Sequence, residues 1–150
     1  MKQLKYVSLF LLAVVLSASF TSCSDDEKVI ERAELVGEWQ CIIDEGYEKH
    51  TTRPQYDDEW NERDPVEIDE KIEFKADGTM IFNDISRHTW SLKEDILVMV
   101  YKEGTSTETI ESKVLKLTSK ELILERYETS TDKDGGKNTF WNKMTFKKTK

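Results

Sequence analysis

Two cysteines, two prolines, two histidines and six glycines are all that the 150 residues hold of the types that build disulfide frameworks, rigid loops and metal centres. No His-x-x-x-His or Cys-x-x-Cys spacing occurs, so the usual zinc patterns are missing. There is no Gly-x-Ser-x-Gly elbow and no phosphate loop. Basic residues are also short, at 22 against 30 acidic ones, a net charge of −8. Such a chain is a poor partner for nucleic acid, whose phosphates attract basic surfaces. No period of repeat-protein length and no long amphipathic helix can be traced. No apolar run reaches the roughly 20 residues that cross a bilayer as a helix.

The longest apolar run, Tyr6 to Phe20, follows Lys2 and Lys5. Basic residues ahead of a short apolar core suit a secretory signal. Phe20-Thr21-Ser22-Cys23 then resembles a lipobox, in which small residues precede a cysteine that is acylated and becomes the mature N-terminus. Phe20 stands where Leu is commoner. The plainer alternative is an ordinary cleaved signal with a chance cysteine. The lipobox reading divides the chain into a signal peptide (1–22), a lipidated tether (23–34) with a helical turn at Glu27 to Glu34, and one domain (35–150). Ser24, where inner-membrane retention signals carry Asp, points to the outer membrane. The acidic Asp25-Asp26-Glu27 resembles a surface-export signal. Removing the leader takes two lysines and no acids, leaving 20 basic against 30 acidic residues, or −10. Anionic headgroups should repel that surface, so the expected membrane contact is through lipid alone. With Cys23 acylated, Cys41 has no partner in the chain and reads as a small buried hydrophobe.

Past the tether the pattern has a period of two. Leu35, Gly37, Trp39, Cys41 and Ile43 fall on one face of a first strand. Asp44 to Pro65 interrupts it, with both prolines, Tyr47, Tyr56 and Trp60, and a helical turn expected near Asp57 to Glu62. Such a connection is several times the usual length, which favours a lid or a binding loop. Strands follow at Val66–Phe74, Thr79–Asn83, Arg87–Lys93, Ile96–Lys102, Thr109–Thr118, Leu122–Thr129 and Asn138–Lys147. Short turns join them, among them Ala76-Asp77-Gly78-Thr79, in which Gly78 can take positive φ. Ile96 to Lys102 is continuously apolar, as a strand covered on both sides would be. Eight strands with short turns predict an all-β fold, an eight-stranded antiparallel up-and-down β-barrel.

Gly37-Glu38-Trp39 near the first strand resembles the Gly-x-Trp motif of the lipocalins. Leu35-Val36-Gly37-Glu38-Trp39, Phe74-Lys75-Ala76-Asp77-Gly78-Thr79, Trp90-Ser91-Leu92 and Leu115 to Leu122 resemble, in that order, small lipocalin-like lipoproteins of Bacteroides-type bacteria. The likeness covers about Leu35 to Lys147, and the long Asp44–Pro65 loop matches no part of it. It implies a lipocalin-like barrel whose floor is closed by Gly37 and Trp39. A basic side chain near the end of the chain, with Arg126 and Lys143 among the candidates, would cap the indole.

No catalytic set assembles, and neither a cofactor nor a metal is called for. Asp132-Lys133-Asp134-Gly135-Gly136 lacks the third acidic position and the distal Glu of a calcium loop, so it reads as a hairpin turn. Asp57-Asp58-Glu59 reads as a solvated acidic face. The ligand-binding candidates are Tyr47, Tyr56, Trp60, His88 and Trp90. The loop aromatics either cover a barrel mouth and stack on a ligand, or pin the loop to the wall. His88 is either a cavity contact or, more plainly, a solvated strand histidine. Trp90, Trp141, Phe82 and Phe140 read as core or cavity lining. Two functions stand. One is a lipoprotein at the outer membrane, facing the cell surface or the periplasm, whose barrel binds a small apolar or amphipathic molecule. The other is a non-enzymatic accessory protein with a filled barrel, meeting a protein or glycan through the Asp44–Pro65 loop. A small eight-stranded barrel can be filled by its own side chains, so the interior volume decides between them.

Overall fold

The computed structural model describes residues 30–150. The expected signal peptide, Cys23 and the start of the expected tether lie outside the described residues. A short helix α1 (Arg32–Leu35) leads into the strand β1 (Gly37–His50). A 3-10 turn (Pro54–Tyr56), β2 (Asp58–Glu62) and a helical turn α2 (Pro65–Ile68) follow. The remaining strands are β3 (Lys71–Phe74), β4 (Thr79–Phe82), β5 (Ile85–Lys93), β6 (Ile96–Glu103), β7 (Ser106–Leu117), β8 (Glu121–Thr131) and β9 (Lys137–Lys148).

β1 organises the sheet. On one edge it pairs with β9 from Trp39↔Lys148 to His50↔Asn138, which closes the circuit. On the other it takes two partners in succession, β3 against Gly37 to Gln40 and β2 against Asp44 to Glu48. Eight strands, β1 and β3 to β9, thus form a closed antiparallel up-and-down barrel. β2 is a ninth strand, laid on the upper half of β1 where β3 has ended.

Three expectations change here. The stretch expected as a helical turn near Asp57 to Glu62 is β2, because β1 runs seven residues past Ile43 and offers its open edge there. Backbone pairing along that edge overrides the local preference of a polar, acidic run. Val66–Phe74 is strand only from Lys71, since Asp64 caps α2 by accepting from the Val66 N–H at 2.9 Å and Pro65 begins the helical turn. Finally, a bulge between Cys41 and Ile43 reverses the alternation of β1. Cys41 faces Phe146 inside, but Ile43 pairs with Thr145 on the outer face and Asp44 takes the inward place beside Met144. Cys41 itself is fully buried, and burial, followed by the nearby Glu70 and Asp44 carboxylates, pushes its thiol up to about 12. It packs as a hydrophobe and is not poised as a nucleophile.

The floor follows from Gly37 and Trp39. Gly37 sits at φ +133°, where L side chains are strained, and a Cβ there would lie 2.5 Å from the Lys150 carbonyl oxygen. Only glycine lets the chain turn from α1 into β1 this close to the C-terminus. Trp39 is 1% exposed, and its Nε1 donates to the Leu35 carbonyl at 2.8 Å. Lys148, not Arg126 or Lys143, caps the indole: its Nζ lies 5.0 Å from the ring and donates to the carbonyls of Val36 (2.7 Å) and Glu34 (3.2 Å). The register decides this, since Lys148 is the direct partner of Trp39, whereas Lys143 is opposite Glu45. Leu35, Phe74, Met80, Leu97 and Leu122 are buried with Trp39 in one apolar cluster. At roughly 1.5–3 kcal/mol for each large side chain, this cluster supplies much of the drive to close the barrel.

Candidate functional site

Above the floor the barrel is hollow. A cavity of about 500 Å³ lies inside it, within the range of small-molecule pockets. Its depth is apolar, with Ile72, Met99, Leu124 and Phe146, all nearly fully buried. Two to four residues further along β8 and β9 the lining turns polar. Asp44, Asn142 and Arg126 form a belt there, because the β1 bulge turns Asp44 inward and Arg126 pairs with Asn142 across β8 and β9. Exposed Ile85, Lys102, Glu103 and Glu108 form the rim.

Trp60 roofs one side of this space. As the partner of Gly46 it shares that residue's inward face, and its ring packs on Phe140 with centroids 5.9 Å apart. Its Nε1 donates to Asp44 Oδ1 at 2.9 Å, and Asn142 Nδ2 donates to the same oxygen. The long loop therefore does form part of the cavity wall, but as a strand and not as a flap. Arg126 binds Glu128 at 2.7 Å, reaches Glu108 at 4.0 Å and lies 5.1 Å from the Phe140 ring.

Glu70 lines the same cavity, and burial first, then Asp44 and Glu62, push its carboxyl up to about 7. Burial likewise pushes the Tyr101 hydroxyl up, with Glu70 and Glu108 adding to it. Folded protein holds the Glu70 proton up to about pH 7, whereas the unfolded chain releases it near 4.5. Stability therefore falls as pH rises through that window, and the cost is complete above it. We expect Glu70→Gln to raise stability at pH 8 by about 1–2 kcal/mol, a figure discounted for water reaching part of the group, and to change little at pH 4. Urea denaturation at both pH values reads this, and an equal gain at pH 4 would refute it.

The candidates from the sequence separate in space. Trp60 and His88 line the cavity, as do Phe82 and Phe140. His88 is 5% exposed, so it is not a solvated strand histidine: it sits on the inward face of β5, with its ring 5.0 Å from that of Tyr101. Trp90 belongs to the floor, edge-on to Phe74 with Arg32 4.8 Å over its ring and Nε1 donating to the Lys75 carbonyl at 3.0 Å. Tyr47 points the other way, stacking on Trp141 on the outer wall at 5.6 Å, beside exposed Tyr127. Tyr56 is exposed and meets only the edge of His50 among the ring contacts described. Asp132 to Gly136 is a hairpin turn, closed by Asp132 N–H on the Gly136 carbonyl at 2.7 Å and tied to Arg53 and Asn138 through the Asp132 carboxylate. Sequence reasoning missed Asp44 and Glu70 as cavity residues and assigned Arg126 to the floor instead of the cavity.

The family model for the lipocalin-like domain matches residues 35–124, from the floor motif through β8 as far as Leu124. The chain belongs to the lipocalin-like domain family. No curated protein and no solved structure matches it. Lipocalin-like domains are generally binding proteins, and the fold suggests a small hydrophobic ligand. In this lipocalin-like barrel the matched segment supplies the floor motif and β1 to β7, while Lys148 and two of the three belt residues, Arg126 and Asn142, lie past it.

Proposed function

We propose that this lipocalin-like protein is a non-catalytic carrier of a small amphipathic molecule, held at the outer membrane, facing the cell surface, by lipid on Cys23. The observation that carries the reading is the hollow, apolar-bottomed barrel under Trp60. A filled barrel would have favoured the accessory role. The lipobox-like Phe20 to Cys23 and the acidic tether support the address, and their likeness to lipoproteins of Bacteroides-type bacteria supports the same setting.

The test is titration with the neutral apolar dye N-phenyl-1-naphthylamine. Ile110, half-buried on the cavity wall, is replaced by Trp to fill the space. Wild type should bind with a fluorescence rise, and Ile110→Trp should bind at least about tenfold more weakly while still melting cooperatively. Equal binding by the two would sink the reading. Labelled palmitate entering the wild type but not Cys23→Ser tests the anchor.

A second reading rests on the outer ladder Tyr47–Trp141–Tyr127, flanked by Glu125 and Lys143. Stacked, partly exposed rings on a flat wall are suited to a protein or glycan contact. Loss of a pulled-down partner on Tyr127→Ala would support it.

A further inference from the structure

Resting on the carrier reading, we propose that the bound molecule carries an uncharged oxygen-bearing head that accepts a hydrogen bond from His88 Nε2, and that the same cavity rejects carboxylate heads. The first observation is the imidazole. His88 is 5% exposed and lines the cavity, and its Nδ1 accepts the Lys102 backbone N–H at 3.1 Å. That bond occupies the lone pair of Nδ1, so the neutral ring carries its proton on Nε2. Nε2 has no hydrogen-bond partner among the described residues. A buried donor left unpaired is costly. An acceptor entering the cavity would remove that cost, and an apolar molecule with no acceptor would not.

The second observation is the charge of the lining. Asp44, Glu70, Glu103 and Glu108 face the space with Lys102 and Arg126. The Arg126 guanidinium already lies between Glu108 and Glu128, and Asp44 accepts from Trp60 and Asn142. A carboxylate head beside His88 would therefore enter a field of its own sign: the guanidinium is already engaged, and the remaining cation, Lys102, stands at the exposed rim where water screens it. A protonated amine would suit the field, but it has no lone pair to offer Nε2. A hydroxyl, amide or ester oxygen satisfies both constraints, with the apolar chain reaching down to Met99, Leu124 and Phe146. A hydroxyl or amide can in addition donate to the Asp44 or Glu70 carboxylate.

Competition against N-phenyl-1-naphthylamine on the full chain at pH 8 tests this with three probes of one chain length: decan-1-ol, decanoate and decylamine. Decan-1-ol should displace the dye at a concentration at least about tenfold below that of decanoate. His88→Phe should weaken decan-1-ol about fivefold while leaving decylamine within about twofold, and His88→Gln, which keeps an N–H donor, should recover part of the loss. If His88→Phe fails to fold, the comparison of His88→Gln with wild type across the three probes carries the test. Decanoate binding as tightly as decan-1-ol overturns the proposal. So does an unchanged decan-1-ol affinity in His88→Phe, which would mean that the Nε2 proton is spent on the Tyr101 ring. If the dye binds but no probe discriminates, the carrier reading stands and this inference falls. If neither the dye nor any probe binds, both fall.

Discussion

Trp39→Ala should lower the unfolding free energy by about 3–5 kcal/mol, the range for emptying a buried aromatic site. The indole is 1% exposed and belongs, with Leu35 and Phe146, to one apolar cluster. Its removal leaves a cavity at the closed end, orphans the Leu35 carbonyl, and strips the aromatic face from under Lys148. The surrounding strands cannot collapse to fill the gap, because Trp39 is paired on both edges, with Ile72 of β3 and Lys148 of β9. Against a total of 5–15 kcal/mol for a domain of this size, the loss takes a large share. Trp39→Phe should cost less, since it keeps an apolar ring and gives up the Nε1 hydrogen bond, worth about 1 kcal/mol. Urea denaturation of the three proteins measures both steps. A loss below about 1 kcal/mol in Trp39→Ala would mean that the floor is not where the barrel's stability resides.

The floor was legible because its rules are local. Gly37 and Trp39 are two residues apart, and the strain at φ +133° admits glycine whatever else surrounds it. The Asp77-Gly78 turn was legible for the same reason: Gly78 takes φ +89°, and Asp77 accepts from both the N–H and the hydroxyl of Thr79. The identity of the capping base was not legible, because Lys148 meets Trp39 only through a pairing 109 residues away along the chain. Alternation is regular along most of the walls, with Met80, Leu97 and Leu124 inside. On the continuously apolar β6, only Leu97 and Met99 are buried, while Val98 and Val100 are half-buried on the outside, so it is covered fully on one side only. Alternation failed at Cys41 to Ile43, where one extra residue exchanges the faces of everything after it. That slip is what carries Asp44 inward and Tyr47 outward, so the chemistry of the mouth was hidden by a feature with no composition of its own. β2 was hidden in another way: a run as polar as Asp58 to Glu62 has no strand signature until a partner edge exists for it.

That partner edge makes Gly46 the second position of large expected effect. Gly46→Val should cost about 2–3 kcal/mol and should weaken binding of a cavity ligand by more than Trp60→Ala does. A Cβ at Gly46 would overlap the Trp60 ring and lie 2.5 Å from the Trp141 carbonyl oxygen. The ring could swing aside, but the carbonyl is part of the β9 backbone and cannot move without opening the β1–β9 seam that closes the barrel. The substitution thus forces a choice between losing the roof and straining the closure. Trp60→Ala removes the roof alone, leaving Asp44 with Asn142 as its donor and the seam intact. The two variants separate the roles. If Trp60 only seals the mouth, its removal should speed ligand release in stopped-flow dye displacement with little change in urea midpoint, while Gly46→Val should lower both. Should Gly46→Val leave the midpoint unchanged, β2 must be able to detach at little cost, and the ninth strand would then be a movable door to the cavity and not a fixed part of its wall.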